Sequence, residues 1–190
     1  MYDQAWLDLM HECANCSKCG LGSTRTKSVI GRGSDTAALM FIGEGPGEQE
    51  DKQGIPFVGA AGKLLDLLLD AVMIDEGDYY IANIVKCRPP DNRLPTDEEA
   101  DACLPFLRTQ VKLIKPRIIV CLGATAMKYI IDRSAKITQI RGQWYEKKGF
   151  SMLPTFHPAA LLRDPSKKVL MWEDFKKIKG RLDQVKNTNV

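Results

Sequence analysis

Short apolar runs alternate with amphipathic segments along the 190-residue chain. Four of these runs are predominantly hydrophobic and lack the polar alternation of a half-exposed strand. Strands that are buried on both faces have this pattern, and they occur in parallel sheets covered by helices. We therefore predict four central strands, at residues 38–43, 79–85, 117–122 and 151–156.

The segments between these runs have helical spacing. Apolar residues recur at helical intervals over residues 60–73, and Thr96 opens a T-x-x-E capping box at the start of a second helix. A third helix follows Gly123, and a basic amphipathic helix covers about residues 167–185. Alternating strands and helices predict an α/β fold. We expect one domain, residues 1–190, with a three-layer αβα architecture around a central four-stranded parallel sheet.

The composition indicates an ordinary soluble globular protein, with 44% hydrophobic and 27% charged residues. No apolar stretch has the length of a membrane span, and the first residues lack the basic and apolar segments of a signal peptide. We expect a cytoplasmic monomer that has no membrane partner.

Charge is unevenly distributed, although the net charge is only +3. Residues 111–190 contain 17 Lys and Arg against 6 Asp and Glu, whereas residues 1–110 contain 10 against 18. A basic half is typical of proteins that bind a polyanion, because Lys and Arg displace counterions from phosphates. A solvated basic helix face has the same composition, so charge leaves both interpretations open.

Four of the six cysteines have the spacing of a metal centre. They comprise a C-x2-C pair and two distant residues: Cys13, Cys16, Cys87 and Cys103. Four thiolates suit either a tetrahedral zinc ion or an iron–sulfur cluster, and either would attach the N-terminal segment to the rest of the domain. Cys121 lies within an apolar run, where we expect a buried and inert thiol.

The first predicted strand leads into GEGPGEQED, residues 43–51, which combines three glycines with acidic side chains. Glycines allow the backbone to approach a ligand closely and to expose N–H groups. Phosphate binding is one interpretation, but the P-loop and dinucleotide-binding patterns are both missing from the sequence. Carboxylates such as Glu44 and Glu50 beside exposed amides suit a second task, the positioning of water near a positively charged sugar. A structural turn with solvated acids is the third interpretation.

Three further residues are candidates for contacts with a planar ligand and a water. Phe57 lies between two glycines in GIPFVG, where it either stacks on a ligand or packs in the core. Asn83 is near the end of the second predicted strand, and its amide can pair with one edge of a pyrimidine. Asn92, in the proline-rich loop RPPDNR, is placed to orient a water. Each asparagine has turn capping as its alternative role.

His157 follows the fourth predicted strand and is one of two histidines in the chain. Ligands of open α/β sheets bind beyond the carboxyl ends of the strands, so we expect His157 to face the site. A lone histidine is more often structural, but in HPAALLR we also expect Leu161 and Leu162 at the surface beside Arg163. An exposed apolar wedge next to a cation is suited to opening a base stack.

These motifs resemble those of the family 4 uracil-DNA glycosylases, the iron–sulfur-containing members of the uracil-DNA glycosylase superfamily. GEGPGEQED, GIPFVG, NIVKCRPPDNR and HPAALLR occur in the order of the family, together with its cysteine spacing. The resemblance extends from about Cys13 to the last predicted helix. It implies a monofunctional DNA glycosylase that hydrolyses the N-glycosidic bond of uracil in single- or double-stranded DNA, in base excision repair.

The resemblance also implies a role for each candidate residue. A structural 4Fe–4S cluster would be ligated by Cys13, Cys16, Cys87 and Cys103, whereas Cys19 has no matching role. The implied catalytic residues are Glu44, Glu50, Asn92 and His157, with Glu50 and Asn92 holding the attacking water. The implied uracil-binding residues are Gly45, Phe57, Asn83 and His157. The implied DNA-binding residues are Leu161, Leu162 and Arg163.

Three alternatives compete with this hypothesis. A zinc-stabilised nucleic-acid-binding module explains the cysteines but leaves Asn83 and His157 unused. A nucleotide-binding α/β protein would use the Gly-rich turn but lacks the phosphate-binding lysine. A glycosylase of broader scope would also accept hypoxanthine or other deaminated bases. The chain lacks the additional basic, histidine-containing loop of covalently trapping relatives, which favours hydrolytic turnover.

Overall fold

A mixed six-stranded sheet forms the centre of the protein. The structure is a computed structural model that describes residues 4–188, so both ends of the predicted domain, residues 1–3 and 189–190, lie outside the described residues. The strands, in chain order, are β1 Arg32–Gly33, β2 Leu39–Gly43, β3 Tyr79–Asn83, β4 Ile118–Leu122, β5 Tyr145–Lys147 and β6 Phe150–Thr155. They are arranged in the order β1-β3-β2-β4-β6-β5.

The four predicted strands are the parallel centre of this sheet. β2 pairs in parallel with β3 and β4, and β4 pairs in parallel with β6. Every residue of β2, β3 and β4 is buried, as the apolar runs predicted. The predicted total of four strands was wrong, because β1 and β5 add antiparallel edges. These edge strands are only 2 and 3 residues long, too short for a hydrophobic pattern.

The described residues form eight α-helices. They are α1 Gln4–Ala14, α2 Glu48–Gln53, α3 Ala60–Ala71, α4 Asp97–Ile114, α5 Ala124–Ile130, α6 Ile137–Ile140, α7 Pro158–Arg163 and α8 Lys167–Asn187. The predicted capping box begins α4: the Glu99 N–H donates to Thr96 Oγ1 at 3.2 Å, and the Thr96 N–H donates to the Glu99 carboxylate at 2.9 Å. Sequence patterns did not predict α2, α6 and α7, which have 4 to 6 residues each.

Two apolar clusters cover the two faces of the sheet and confirm the αβα layers. One contains residues of α1, α4 and α5. The other contains residues of α3, α7 and α8. Within residues 4–188, no helix is long and apolar enough to cross a membrane.

The parallel register brings the ends of the central strands to one edge. Gly43 at the end of β2 lies opposite Asn83 at the end of β3, and Leu122 at the end of β4 lies opposite Thr155 at the end of β6. The loops that follow these four strands therefore meet beyond one edge of the sheet, where ligands of such folds bind.

A candidate active-site cleft and a cysteine pocket

A cleft of about 640 Å³ lies beyond the carboxyl ends of the central strands. Its lining includes eight of the ten candidate residues outside the cysteine set: Glu44, Gly45, Glu50, Phe57, Asn83, Asn92, His157 and Arg163. These residues come from loops, from the end of β3 and from the short helices α2 and α7. The fold therefore brings together residues as far apart in the chain as Glu44 and Arg163, which are separated by 119 positions. Only the two leucines of the predicted wedge lie outside the lining.

Asn83 presents an unpaired acceptor beside the cleft. The residue ends β3 and is only 1% exposed. Its side-chain Oδ1 is buried and has no hydrogen-bond partner. A buried polar atom without a partner costs about 1–3 kcal/mol, so such atoms are rare unless a ligand completes them. The geometry therefore favours ligand contact over turn capping for this asparagine.

Phe57 forms one wall of the cleft, and its backbone is held in a rare conformation. Its φ is +55°, in the left-handed region that side chains other than glycine seldom adopt. Two glycines make room for it: a Cβ at Gly43 would lie 2.9 Å from the Phe57 ring, and one at Gly62 would collide with the Phe57 carbonyl. The ring is packed against its neighbours and also lines the cleft, so packing and stacking are compatible here.

His157 packs against Phe57 in the lining of the cleft, with ring centroids 5.5 Å apart. It is the N-cap of α7, and its Nδ1 accepts a hydrogen bond from the Ala159 N–H at 3.2 Å. A neutral imidazole that accepts at Nδ1 carries its proton on Nε2. Burial, and secondarily Arg163, lowers the pKa of His157 to about 4. The residue is therefore a neutral Nε2–H donor at pH 7.

Glu50 connects the two loops that flank the cleft. Its Oε1 accepts hydrogen bonds from the Val58 and Gly59 N–H groups at 2.9 and 2.8 Å, and its Oε2 accepts one from the Gly47 N–H at 3.1 Å. One carboxylate therefore attaches the turn after β2 to the loop that carries Phe57. The predicted water-holding role of Glu50 stays a prediction, and the structure adds this loop-bracing role.

Glu44 and Asn92 both line the cleft and are candidates for holding a water. The Thr125 hydroxyl donates to Glu44 Oε2. Burial raises the pKa of Glu44, and the Thr125 hydrogen bond and Arg163 oppose that effect. Asn92 Oδ1 accepts from Arg88 Nε at 2.8 Å, and the residue has a φ of +54°. Strained backbone at Phe57 and Asn92 is typical of functional sites.

The predicted apolar wedge needs a correction. Leu162 is 54% exposed, but Leu161 is 2% exposed and packs in the core. Both belong to α7, and successive residues of a helix point about 100° apart, so Leu161 can face the core while Leu162 faces outward. Arg163 is exposed and lines the cleft, as predicted.

A second concave site, the cysteine pocket, lies on the α1 and α4 side of the sheet. Five thiols line it: Cys13, Cys16, Cys19, Cys87 and Cys103. Cys13 is on α1, Cys103 is on α4, and Cys87 follows β3 by four positions. All six cysteines are free, and Cys121 is fully buried in β4 as predicted.

Hydrogen-bond donors point at three of the thiols in this pocket. Arg25 Nη1 donates to Cys87 Sγ at 3.3 Å, the Lys86 N–H to Cys103 Sγ at 3.2 Å, and the Lys18 N–H to Cys16 Sγ at 3.5 Å. Such donors stabilise thiolates, and they are one of the ways in which proteins tune cluster ligands. The four cysteines of the predicted ligand set therefore lie in one pocket, and their role as ligands stays a prediction.

Burial opposes the thiolate form in the same pocket. It raises the pKa of Cys13 to about 12 and that of Cys103 to about 11, although Lys86 lowers both. Thiols in these surroundings stay neutral unless a cationic centre binds them. In the part of the chain described, no group of three or more His, Cys, Asp or Glu side chains is arranged to hold a single metal ion.

Comparisons with known proteins agree with this geometry. Residues 30–177 match the family model of the Uracil DNA glycosylase superfamily. The type-4 uracil-DNA glycosylase of Thermotoga maritima is 47% identical over 171 residues, which are 87% of this chain and 88% of that protein. The type-4 enzyme of Sulfurisphaera tokodaii is 44% identical over 180 residues, 90% of this chain and 82% of that protein.

The chain belongs to the type-4 uracil-DNA glycosylases. A type-5 uracil-DNA glycosylase, from Pyrobaculum aerophilum, is more distant, with 33% identity over 187 residues that cover 81% of this chain and 82% of that protein. The resemblance read from the motifs is therefore confirmed, and so is the α/β fold that it implied.

Sequence reasoning missed three polar residues of this type-4 glycosylase. Thr125 follows the third predicted strand by three positions, so its place at the ligand-binding edge was a usable signal. Lys86 lies within the apolar run that ends in Cys87, where a lysine is unusual. Arg25 had no signal, because its contacts with Cys16 and Cys87 are made only in the folded chain.

Proposed function

We propose that this chain excises uracil from DNA by hydrolysing the N-glycosidic bond, leaving an abasic site for base excision repair. The observation that carries the proposal is the unpaired, buried Oδ1 of Asn83, which lies beside a cleft whose other walls are the Phe57 ring and the His157 imidazole. The family membership of the chain and the names of its relatives support the same activity.

The cleft offers the groups that uracil needs for recognition. A uracil extruded from the helix stacks on Phe57, and the Asn83 carboxamide accepts from N3–H and donates to O4. Cytosine presents the opposite polarity at this edge, so its binding would leave buried groups unpaired. Sites that depend on such hydrogen bonds reject the wrong partner by large factors, because each unpaired buried group costs free energy.

Bond cleavage leaves negative charge on the departing uracil and positive charge on the sugar, as in glycoside hydrolysis. The Nε2–H of neutral His157 donates to uracil O2 as the negative charge develops there. One such preorganised donor contributes roughly 3–4 kcal/mol of transition-state stabilisation. Full proton transfer is not required, which agrees with the low pKa of His157.

Acidic and amide side chains place the attacking water on the face of the sugar opposite the departing base. We assign this water to Glu44 and Asn92, with Glu50 bracing the loops around it, since the Glu50 carboxylate already accepts from three backbone N–H groups. Orientation of the water is the main requirement against so reactive a sugar cation. Leu162 and Arg163, exposed at the rim, are proposed to contact the DNA strand.

The cysteine pocket is proposed to hold a 4Fe–4S cluster on Cys13, Cys16, Cys87 and Cys103. The donor set fits, because the four proposed ligands line one pocket, together with Cys19, and backbone or guanidinium donors face three of the four. When bound, the cluster would supply a structural link between α1, α4 and the loop after β3, with no redox step in the reaction. Zinc is the alternative occupant, and it would leave the protein colourless.

The test is excision from matched oligonucleotides that carry one U·G, U·A, unpaired U or T·G site. Alkali cleavage then reports abasic sites. We expect cleavage at uracil only, and loss of cleavage in Asn83→Ala. Asn187→Ala is the matched control, since Asn187 is exposed at the end of α8 and lines neither the cleft nor the cysteine pocket. A visible charge-transfer band would identify the cluster. Uracil excision that survives in Asn83→Ala would refute the proposed recognition.

A further inference from the structure

Lys86 is a charged side chain in an apolar surrounding. It is 1% exposed and belongs to the largest fully buried side chains of the protein. The residue lies three positions after Asn83 and directly before Cys87, between the cleft and the cysteine pocket. The mechanism proposed above does not use it. Burial of an ammonium group costs several kcal/mol unless other groups compensate, so its contacts require an explanation.

The contacts of Lys86 lead to both sites. Its Nζ donates to the Asn83 backbone carbonyl at 2.8 Å and to Gln110 Oε1 at 2.7 Å. Its backbone N–H donates to Cys103 Sγ at 3.2 Å. Gln110 is held in turn, because its Nε2 donates to the Ile30 carbonyl at 3.0 Å. One residue therefore touches the strand end that carries Asn83 and a predicted cluster ligand.

Two neutral acceptors compensate an ammonium charge only in part. The thiols of Cys103 and Cys13 are its electrostatic neighbours, and Lys86 lines the pocket with them. A cluster on four thiolates carries net negative charge. Its charge would be the counterpart that the buried ammonium lacks, and the ammonium would in turn stabilise the bound cluster.

We propose that Lys86 is a positioning residue that couples the cysteine pocket to uracil recognition. Its ammonium group is the counter-charge of the cluster, and its hydrogen bond to the Asn83 carbonyl fixes the strand end that presents the Asn83 amide. Loss of the cluster then displaces Lys86 and with it Asn83. This inference rests on the proposed function and concerns how its two sites are connected.

The first measurement is the rate at which the purified protein loses iron to a chelator, followed through the visible band. We expect Lys86→Met, which keeps the apolar stem, to lose iron at least about tenfold faster than the unmodified protein. Lys177→Met is the matched control, because Lys177 Nζ also donates to a backbone carbonyl, that of Gly142 at 2.8 Å, but lies outside the lining of both sites. Its rate of iron loss should be unchanged.

The second measurement is single-turnover excision, normalised to the iron content of each preparation. Lys86→Met should excise uracil about tenfold more slowly per cluster, with weaker discrimination against cytosine. If Lys86→Met does not fold, Gln110→Glu separates the two roles of Lys86, which are the counter-charge to the cluster and the hydrogen bond to the Asn83 carbonyl. It places a carboxylate beside the ammonium and leaves the bond to Asn83, so iron loss should accelerate while excision per cluster stays near normal.

Iron loss at the normal rate in both variants would overturn the proposal. Rapid iron loss from Lys86→Met with normal excision per cluster would also overturn it, because Asn83 would then be positioned independently of Lys86. Failure of the proposed function is a separate result: the unmodified protein would then be colourless or would leave uracil in place, before any variant is compared.

Discussion

The cleft and the cysteine pocket both present groups to a partner, but in different ways. In the cleft, the backbone holds polar atoms such as Asn83 Oδ1 ready for a partner that comes and goes. In the pocket, burial raises the pKa of thiols such as Cys13, so the neutral thiol is favoured unless a cationic centre binds it. The cleft thus offers hydrogen-bonding groups to a substrate, whereas the pocket offers thiols to the cluster that we propose.

The two regions also differ in which segments of the chain form them. Most of the cleft is formed at the ends of neighbouring strands and in the segments after them, so the sheet brings these parts together. The pocket joins α1 near the N-terminus to α4 and to the loop after β3. A cluster that linked segments so distant along the chain would restrict the unfolded ensemble. We therefore expect changes in the pocket to affect folding and changes in the cleft to affect the reaction.

The largest effect is expected from Cys87→Ala, which removes a predicted ligand four positions from Asn83. The visible band and measurable excision should both be lost, and the unfolding temperature should fall. Cys121→Ala is the control, since Cys121 is equally a buried thiol but lies in β4 outside the pocket. It should cost about 1 kcal/mol of stability and keep its iron. Full activity in folded Cys87→Ala would contradict the expectation that changes in the cysteine pocket affect folding.

The second largest effect is expected from His157→Ala, which changes the cleft alone. Loss of one preorganised donor should lower the excision rate by about 100- to 1,000-fold, with the visible band and fold intact. The other histidine gives the control, because His11 lies on α1, and His11→Ala should excise at the normal rate. Single-turnover kinetics and the absorption spectrum check both statements. Iron loss in His157→Ala would show that the two regions are less separate than we infer.

A smaller effect is expected from Glu50→Gln, which weakens the brace between the loops around the cleft. Gln keeps one acceptor oxygen for the Val58 and Gly59 N–H groups but turns an amide toward Gly47. We expect excision to slow roughly tenfold, because the position of Phe57 becomes less fixed. Glu48→Gln is the control on the same helix: Glu48 is exposed and pairs only with Lys52. Equal rates for the two variants would argue against the brace.

The smallest effect on the rate is expected from pH. His157 has a pKa of about 4 in the folded protein against about 6.5 for an ordinary histidine, so it stays neutral from pH 6 to 8 and the excision rate should show no histidine step there. Stability behaves differently. As pH falls from about 6.5 to 4, the unfolded chain takes up a proton at His157 that the folded protein excludes. This lowers the free energy of unfolding by up to roughly 3 kcal/mol.

Denaturant titrations at several pH values measure this loss of stability. In His157→Ala, the free energy of unfolding should fall less steeply between pH 6.5 and 4, because the contribution of His157 is removed. A rate step near pH 6.5 that the same variant removes would instead show that the imidazole is charged in the working enzyme.

The elements that the sequence predicted best were the strands in which every residue is buried and the helix that has a local capping motif. β2, β3 and β4 were recognisable because all their residues are buried, and α4 because Thr96 and Glu99 cap it locally. The edge strands β1 and β5 and the short helix α7 depend on what packs beside them. For that reason Leu161 was expected at the surface, although α7 turns it into the core.

The sequence by itself determined the family, the order of the motifs and the residue types of the cleft, since these depend on which side chains follow which apolar run. Only the tertiary structure decided the state of each polar atom: that Asn83 Oδ1 is unpaired, that His157 carries its proton on Nε2, and that Glu50 braces two loops. It also decided that Lys86 lies between the two sites. The physical reason is that hydrogen-bond partners and burial come from residues distant along the chain, whereas apolar periodicity is local.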